Sequence, residues 1–228
     1  MDNLLLKYMN ERASHTAKKT IEPGPVITIS RECGCSGKQF AEKLTHRINK
    51  QINDPSKSWK LISKEILNLA SDELKINPEQ VRKLLKAEEK NFLDEIVSSF
   101  TDKYYVHDAK IKVVIEEVIR NIAKRGKAII LGRGSEVLTS DIPRSLHVKL
   151  FAPKSWRIEV ISERWKISHN EAKRFIDNVD KQRSKFRDAY LDKNLDPVSY
   201  DFEFNCAKFN HEEIIELIMK AVEIKSLL

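Results

Sequence analysis

The stretch running from Val26 to Gln39 limits this chain to few folds. A β-branched run, Val26-Ile27-Thr28-Ile29-Ser30, breaks into Arg31-Glu32-Cys33-Gly34-Cys35 and ends in Ser36-Gly37-Lys38-Gln39. A run of that kind suits a strand buried in a parallel sheet. Gly34, Ser36 and Gly37 are small enough to let backbone N–H groups approach an anion, and a helix opening near Lys38 aims its N-terminal dipole at the same spot. Lys38 adds a mobile charge that reaches terminal phosphates. The stretch reads as a phosphate-binding loop, with Gly34, Cys35, Ser36, Gly37, Lys38 and Gln39 as candidate nucleotide-binding residues. Its spacing is not the usual one: Glu32 stands where the pattern wants its first glycine, and Gln39 where a magnesium-holding hydroxyl is expected. The plainer reading is a strand, tight turn and helix whose lysine is solvated.

Five β-branched runs predict strands: Val26–Ser30, Trp59–Ile62, Ala128–Leu131, Leu146–Phe151 and Tyr200–Phe204. Helical patterns alternate with them. Gln39–Lys50 follows the first strand, and a stripe of Ile111, Val114, Ile115, Val118, Ile119 and Ile122 stops at Gly126. Such alternation predicts a parallel sheet covered on both faces. The long helical stretch between the second and third strands restarts at Asn77-Pro78-Glu79, which suits either an insertion closing over a ligand or extra helices packed on the sheet. His107 within it is read as a surface or packing residue. The last helix opens with Asn210-His211-Glu212-Glu213, a cap residue with Glu three positions on.

With 228 residues the chain has room for one α/β domain plus a small subdomain. A formal net charge of +7 favours anionic ligands without naming one. Three cysteines, two of them at Cys33 and Cys35, argue against a disulfide framework and for a reducing compartment, so the expectation is a cytoplasmic protein. No metal ligands are assigned. A cysteine at the helix start beside Arg31 and Lys38 is expected to have a lowered pKa. No apolar stretch is long enough to span a bilayer. Residues 1–24 read as a helical extension and linker, with Leu4, Leu5, Leu6 and Met9 as an apolar edge for packing or homo-oligomer contact.

The arginines are phased. Ile130-Leu131-Gly132-Arg133-Gly134-Ser135 places Arg133 at the carboxyl end of a parallel strand, where open α/β sheets collect ligands; the alternative is a turn arginine paired with Glu136 or Glu32. Ser168-His169-Asn170-Glu171 has capping-box spacing, and the helix it opens carries Ala172, Phe175, Ile176 and Val179 on one side. Continuing that stripe reaches Arg183, Phe186, Arg187 and Tyr190, so two arginines fall on the packing side and predict a basic lid over phosphates. Arg157 and Arg164 lie seven residues apart on one face of the preceding helix, and one or both are candidates for the same cluster.

These residues give the chain a resemblance to the cytidylate kinase-like family of P-loop nucleoside monophosphate kinases. It is carried by Ile27 through Gly37, Ile129 through Gly134, Phe151-Ala152-Pro153 through Arg157, Val179-Asp180-Lys181-Gln182-Arg183 and Tyr200 through Asn205. The resemblance implies a three-layer α/β/α P-loop kinase fold over residues 25–228, with a five-stranded parallel sheet, a helical insertion at about 63–110 and an arginine lid at about 154–190. It implies transfer of the γ-phosphoryl group from ATP, with Mg2+, to a nucleoside monophosphate, CMP or dCMP first. Lys38, Arg183 and Arg187 would be catalytic; Arg31, Arg133 and Arg157 would bind the acceptor. The chain departs from cytidylate kinases at Glu32, at Gln39 and at Gly134, where those enzymes carry an aspartate.

Two other readings compete. A nucleotide sensor or degenerate kinase that binds without transfer is motivated by Gln39, and a kinase of another small acceptor by Gly134. Nucleic-acid binding rests only on the +7 charge and lysine-rich helices, with neither a module nor an aromatic platform, and ranks last.

Overall fold

The structure, a computed structural model, describes residues 23–63, 109–191 and 199–228. In chain order these form β1 (Val26–Arg31), α1 (Gly37–Asn49), β2 (Lys60–Ile62), α2 (Ala109–Arg125), β3 (Ala128–Leu131), α3 (Ser135–Leu138), β4 (Ser145–Phe151), α4 (Lys154–Trp165), α5 (His169–Asp188), β5 (Phe202–Asn205) and α6 (His211–Ile224). Most of the expected insertion, its Asn77-Pro78-Glu79 restart and His107 lie outside the described residues, as do residues 1–22 of the expected extension.

The strands make one sheet in the order β2-β3-β1-β4-β5, and every pairing is parallel. Strand periodicity of two distributes the β-branched runs between two cores. Ile27, Ile29, Ile129 and Leu131 face α1 and α6, where they meet Phe40, Leu44, Ile48, Ile214 and Ile218. Val26, Ala128 and Ile130 face the other way, onto Ile115, Ile119 and Ile122 of α2. Sheet between two helical layers is the expected three-layer arrangement. α2 stops as expected, with the Gly126 N–H donating back to Ile122 O at 3.1 Å. Both predicted capping boxes are present, Ser168 with Glu171 on α5 and Asn210 with Glu213 on α6.

A third core joins α4 and α5. Ile161, Ala172, Phe175, Ile176 and Val179 close it, with Trp165 edge-on to Phe175 at 4.7 Å. Cys33 of the β1–α1 loop is buried in the same cluster. The α4–α5 hairpin is therefore packed onto the loop by an apolar contact, before any polar one is considered.

Candidate active site

β1 delivers the chain to the carboxyl edge of the sheet beside β3 and β4, where open α/β sheets form their crevice. Glu32 N–H still donates to Leu150 O of β4 at 2.9 Å, and Cys35 N–H turns back onto Glu32 O at 3.3 Å. Ser36 follows in a left-handed conformation with φ of 49°, and α1 opens at Gly37. The N–H groups of Gly37, Lys38 and Gln39 occupy the first turn, where a helix offers no acceptor of its own. Lys38 and Gln39 are exposed. The loop thus presents unsatisfied donors and the positive end of the helix dipole to solvent.

Arg31 crosses between two glycines. A Cβ on Gly37 would come within 2.7 Å of Arg31 Cγ, and one on Gly132 within 2.1 Å of Arg31 Nη1. Gly132 also has φ of +73°, so backbone conformation disfavours a side chain there, and a Cβ would displace the Arg31 guanidinium. The last residue of β1 is directed onto the β3 turn by this gap.

Side chains from the α4–α5 hairpin hold the loop. Arg157 is buried; its Nε donates to Ala152 O at 3.0 Å, and its Nη1 donates to Cys33 O at 3.2 Å and to Asp180. Its Nε also lies 3.2 Å from the Glu32 carboxylate, which accepts from Ala152 N–H at 3.1 Å. Asp180 in turn accepts from Cys33 N–H at 2.8 Å. Arg164 donates to Ser36 Oγ at 2.8 Å, and Arg183 to Arg31 O at 3.2 Å. Residues of α4, of α5 and of the β4–α4 connection are thereby fastened to Arg31, Glu32, Cys33 and Ser36.

Next to the loop is a cavity of about 240 Å3. Ser30 and Arg31 line it from the end of β1 and Glu32 from the loop after it, Gly132, Arg133 and Gly134 from the β3–α3 turn, Glu136 from α3, Asp180, Gln182, Arg183, Ser184, Phe186 and Arg187 from α5, with Lys149 and Tyr200 completing the wall. The Arg133 guanidinium lies over the Phe186 ring, 5.8 Å from its centroid. Glu136 is buried, and burial pushes its carboxyl up from the usual range, opposed by the Tyr200 hydroxyl, which donates to it at 3.1 Å, and by the charges of Arg187 and Arg31. Burial also raises the Tyr200 phenol. Burial works against the charge on Arg187, yet hydrogen bonds to Asp188 and Tyr200 outweigh it and hold the guanidinium above its ordinary value. Arg187 is thereby a fixed cation.

Of the residues singled out in the sequence, Arg31, Arg133, Arg183 and Arg187 converge on this cavity. The phase of the α5 stripe accounts for the last two, since Ala172, Phe175, Ile176, Val179 and Phe186 are all buried. Gly34, Cys35, Ser36, Gly37, Lys38 and Gln39 form the adjacent loop, outside the cavity lining. Arg157 is placed differently from the acceptor-facing position expected of it: its guanidinium is enclosed by Glu32, Asp180 and two carbonyls. The Arg133 guanidinium rests on the Phe186 ring, the Glu32 carboxylate lies against Arg157, and the Glu136 carboxylate accepts from Tyr200. The lowered thiol pKa expected at the loop is also corrected. Cys35 is buried, and its thiol is pushed up by hydrogen bonding to Cys206 and by burial. The lowered thiol is Cys206, through the same hydrogen bond. Tyr200, Asp180 and Lys149 have no role assigned from the sequence, although Asp180 and Tyr200 lie in segments that carry the resemblance, and Glu136 enters there only as an alternative partner of Arg133.

An α/β sheet in this order, with a loop and helix start open at its carboxyl edge and a cluster of arginines alongside, defines a protein of the phosphate-loop class. The chain matches the model of the cytidylate kinase-like family over residues 26–208, and it belongs to that family. Membership of a kinase-like family supports nucleotide-dependent phosphoryl transfer as its chemistry. Among solved structures, an uncharacterized protein from Eubacterium ventriosum superposes with a TM-score of 0.57 at 22% identity, covering 87% of this chain and 97% of that one, a likeness of fold. Shikimate kinase from Bacteroides thetaiotaomicron aligns at a TM-score of 0.49 and 8% identity, over 87% and 98% of the two chains. No curated protein matches the chain. Among the described residues no helix is long and apolar enough to cross a membrane.

Proposed function

We propose that the chain transfers the γ-phosphoryl group of ATP to a nucleoside monophosphate, with CMP or dCMP the first acceptors to test. The observation that carries this reading is the convergence of Arg31, Arg133, Arg183 and Arg187 on one cavity beside the open end of α1. Five cations line that cavity against three carboxylates, two of which, Glu32 and Asp180, are already engaged with Arg157. An anionic acceptor is what such a lining favours.

In this reading the first-turn N–H groups of α1 and the Lys38 ammonium hold the donor phosphates. Arg31 and Arg133 orient the acceptor phosphate, and Arg183 and Arg187 face the charge that develops during transfer. An acceptor phosphate oxygen bonds to the γ-phosphorus as the bond from that phosphorus to the β–γ bridging oxygen breaks, and ADP leaves. Magnesium, when bound, neutralises phosphate charge. Gln39, next to Lys38, offers an amide oxygen that would help to hold that ion.

Gln39 also favours a second reading, nucleotide binding and sensing without transfer. Incubation with Mg-ATP and each of CMP, dCMP, UMP, AMP and GMP, followed by diphosphate analysis, separates them. Diphosphate from CMP or dCMP supports the first reading. Tight ATP binding with no product from any acceptor rejects it in favour of the second.

A further inference from the structure

We propose that Glu136 selects the acceptor: its carboxylate receives a hydrogen bond from an exocyclic amino group of the base, so that the cavity takes a cytosine nucleotide over its uracil counterpart. This selection presupposes the nucleoside-monophosphate reading above and adds to it the residue that chooses between bases.

Three carboxylates line the cavity, and their surroundings differ. Glu32 accepts from Ala152 N–H at 3.1 Å and lies 3.2 Å from Arg157 Nε. Asp180 accepts from Cys33 N–H at 2.8 Å and from Arg157. Both are spent on holding the loop. Glu136 stands on α3 instead, 3% exposed, where its carboxylate accepts from the Tyr200 hydroxyl at 3.1 Å. A carboxylate has acceptor sites for about four donors. Glu136 therefore offers further sites in a wall where burial makes an undersatisfied charge costly.

The hydroxyl that meets Glu136 is itself fixed. Lys149 Nζ lies over the Tyr200 ring, 5.4 Å from its centroid, and the Glu203 carboxylate holds that ammonium at 2.9 Å. Ser30 is paired with Lys149 across β1 and β4, and both line the cavity. Strands β1 and β4, the start of β5 and α3 thus place Glu136, Tyr200, Lys149 and Ser30 on one polar stretch of wall.

A phosphate set against Glu136 would bring like charges together, whereas Arg31, Arg133, Arg183 and Arg187 of the same cavity attract it. The part of the acceptor left to meet Glu136 is its uncharged end, and a carboxylate there calls for N–H donors. The cytosine amine supplies two, at an edge of the base that a carboxylate can approach past C5. Uracil has a keto oxygen in that place, which repels a carboxylate, and its ring N–H stands between two such oxygens.

Titration calorimetry of the full chain with CMP, UMP, dCMP and dUMP, with and without a non-hydrolysable ATP analogue, measures the preference apart from transfer. The wild type should bind CMP and dCMP about tenfold or more tighter than UMP and dUMP, the worth of one hydrogen bond to a charged group. Glu136→Gln should reduce each ratio to about threefold or less, because an amide turns its oxygen to an amine or its NH2 to a keto oxygen. Should that variant fold poorly, Glu136→Asp, which withdraws the carboxylate by one methylene, should reduce the ratios likewise. Equal binding of cytosine and uracil nucleotides by the wild type overturns the proposal, as does a preference that survives both substitutions. A loss confined to the two ribonucleotides places the carboxylate on the ribose and overturns it too. Failure of the wild type to bind any of the four refutes the reading of the cavity as the site of a CMP or dCMP acceptor, and the selection falls with it.

Discussion

Replacing Arg157 with methionine should unfasten the loop, and the size of the effect follows from what surrounds that side chain. Arg157 is 8% exposed, and the two carboxylates it faces, Glu32 and Asp180, are 33% and 28% exposed. Methionine fills much of the space but leaves Cys33 O and Ala152 O without their side-chain donors and two neighbouring carboxylates without a cation. Removing one partner of a buried ion pair costs about 3–5 kcal/mol; since both carboxylates keep partial access to water, the low end, about 3 kcal/mol, applies. For a chain of this size that is a fall in Tm of about 6–12 °C. Calorimetry of the wild type and Arg157→Met measures it, with acceptor KM as the companion readout. A Tm within about 3 °C of the wild type, combined with a raised acceptor KM, would refute the clasp and return Arg157 to the acceptor site, as its sequence position suggested.

Gly132→Ala places a methyl group 2.1 Å from Arg31 Nη1 at a φ of +73°; the strain costs about 1–2 kcal/mol, and displacement of Arg31 should raise acceptor KM more than it lowers Tm, whereas an unchanged KM would clear Arg31 of that role. Arg183→Ala should lower kcat by about 100-fold or more with ATP affinity nearly kept, as expected for a charge facing the transferring group; undiminished kcat would remove it from the mechanism. Glu136 has a folded-state pKa raised above its ordinary 4.5, so its contribution to stability is present below that value and is lost as pH rises through the folded pKa. Glu136→Gln should therefore gain Tm over the wild type as pH rises from 4.5 toward 8, and a difference independent of pH would show that burial does not govern this carboxyl.

The sheet was legible because β1 and β3 are short, apolar runs rich in β-branched residues, and the observed strands fall within two residues of the expected ends. The instructive miss is β5. Expected to start at Tyr200, it starts at Phe202, because His147 N–H is taken by the Asp201 carboxylate at 2.7 Å instead of by a backbone carbonyl. Ending the ladder there frees Tyr200 to reach Glu136, so the error in a strand boundary and the missed cavity residue have one cause. Helical phase made Arg183 and Arg187 legible, since the apolar residues before them declare the inward side. Spacing placed Arg157 only on one face with Arg164 and could not say more: whether such an arginine meets ligand or carboxylate depends on Asp180, on another helix, and on Glu32, in the loop after β1.

That dependence makes Asp180 the residue that best separates holding the loop from binding what lies beside it. Its carboxylate accepts the Cys33 N–H at 2.8 Å, so that donor is already occupied and the anion-binding donors of the loop begin further along, at the start of α1. It also lines the arginine cavity, where its charge opposes any anion. Asp180→Asn keeps an oxygen for Cys33 N–H while removing the charge facing Arg157, and weakening that charge-assisted bond should cost about 1–2 kcal/mol of stability. Affinity for ATP and for the acceptor should hold or tighten severalfold, because one carboxylate fewer opposes the phosphates. If instead the variant keeps its Tm within about 1 °C and loses acceptor affinity tenfold, Asp180 contacts the acceptor directly, and Cys33 N–H is held by it only while the cavity is empty.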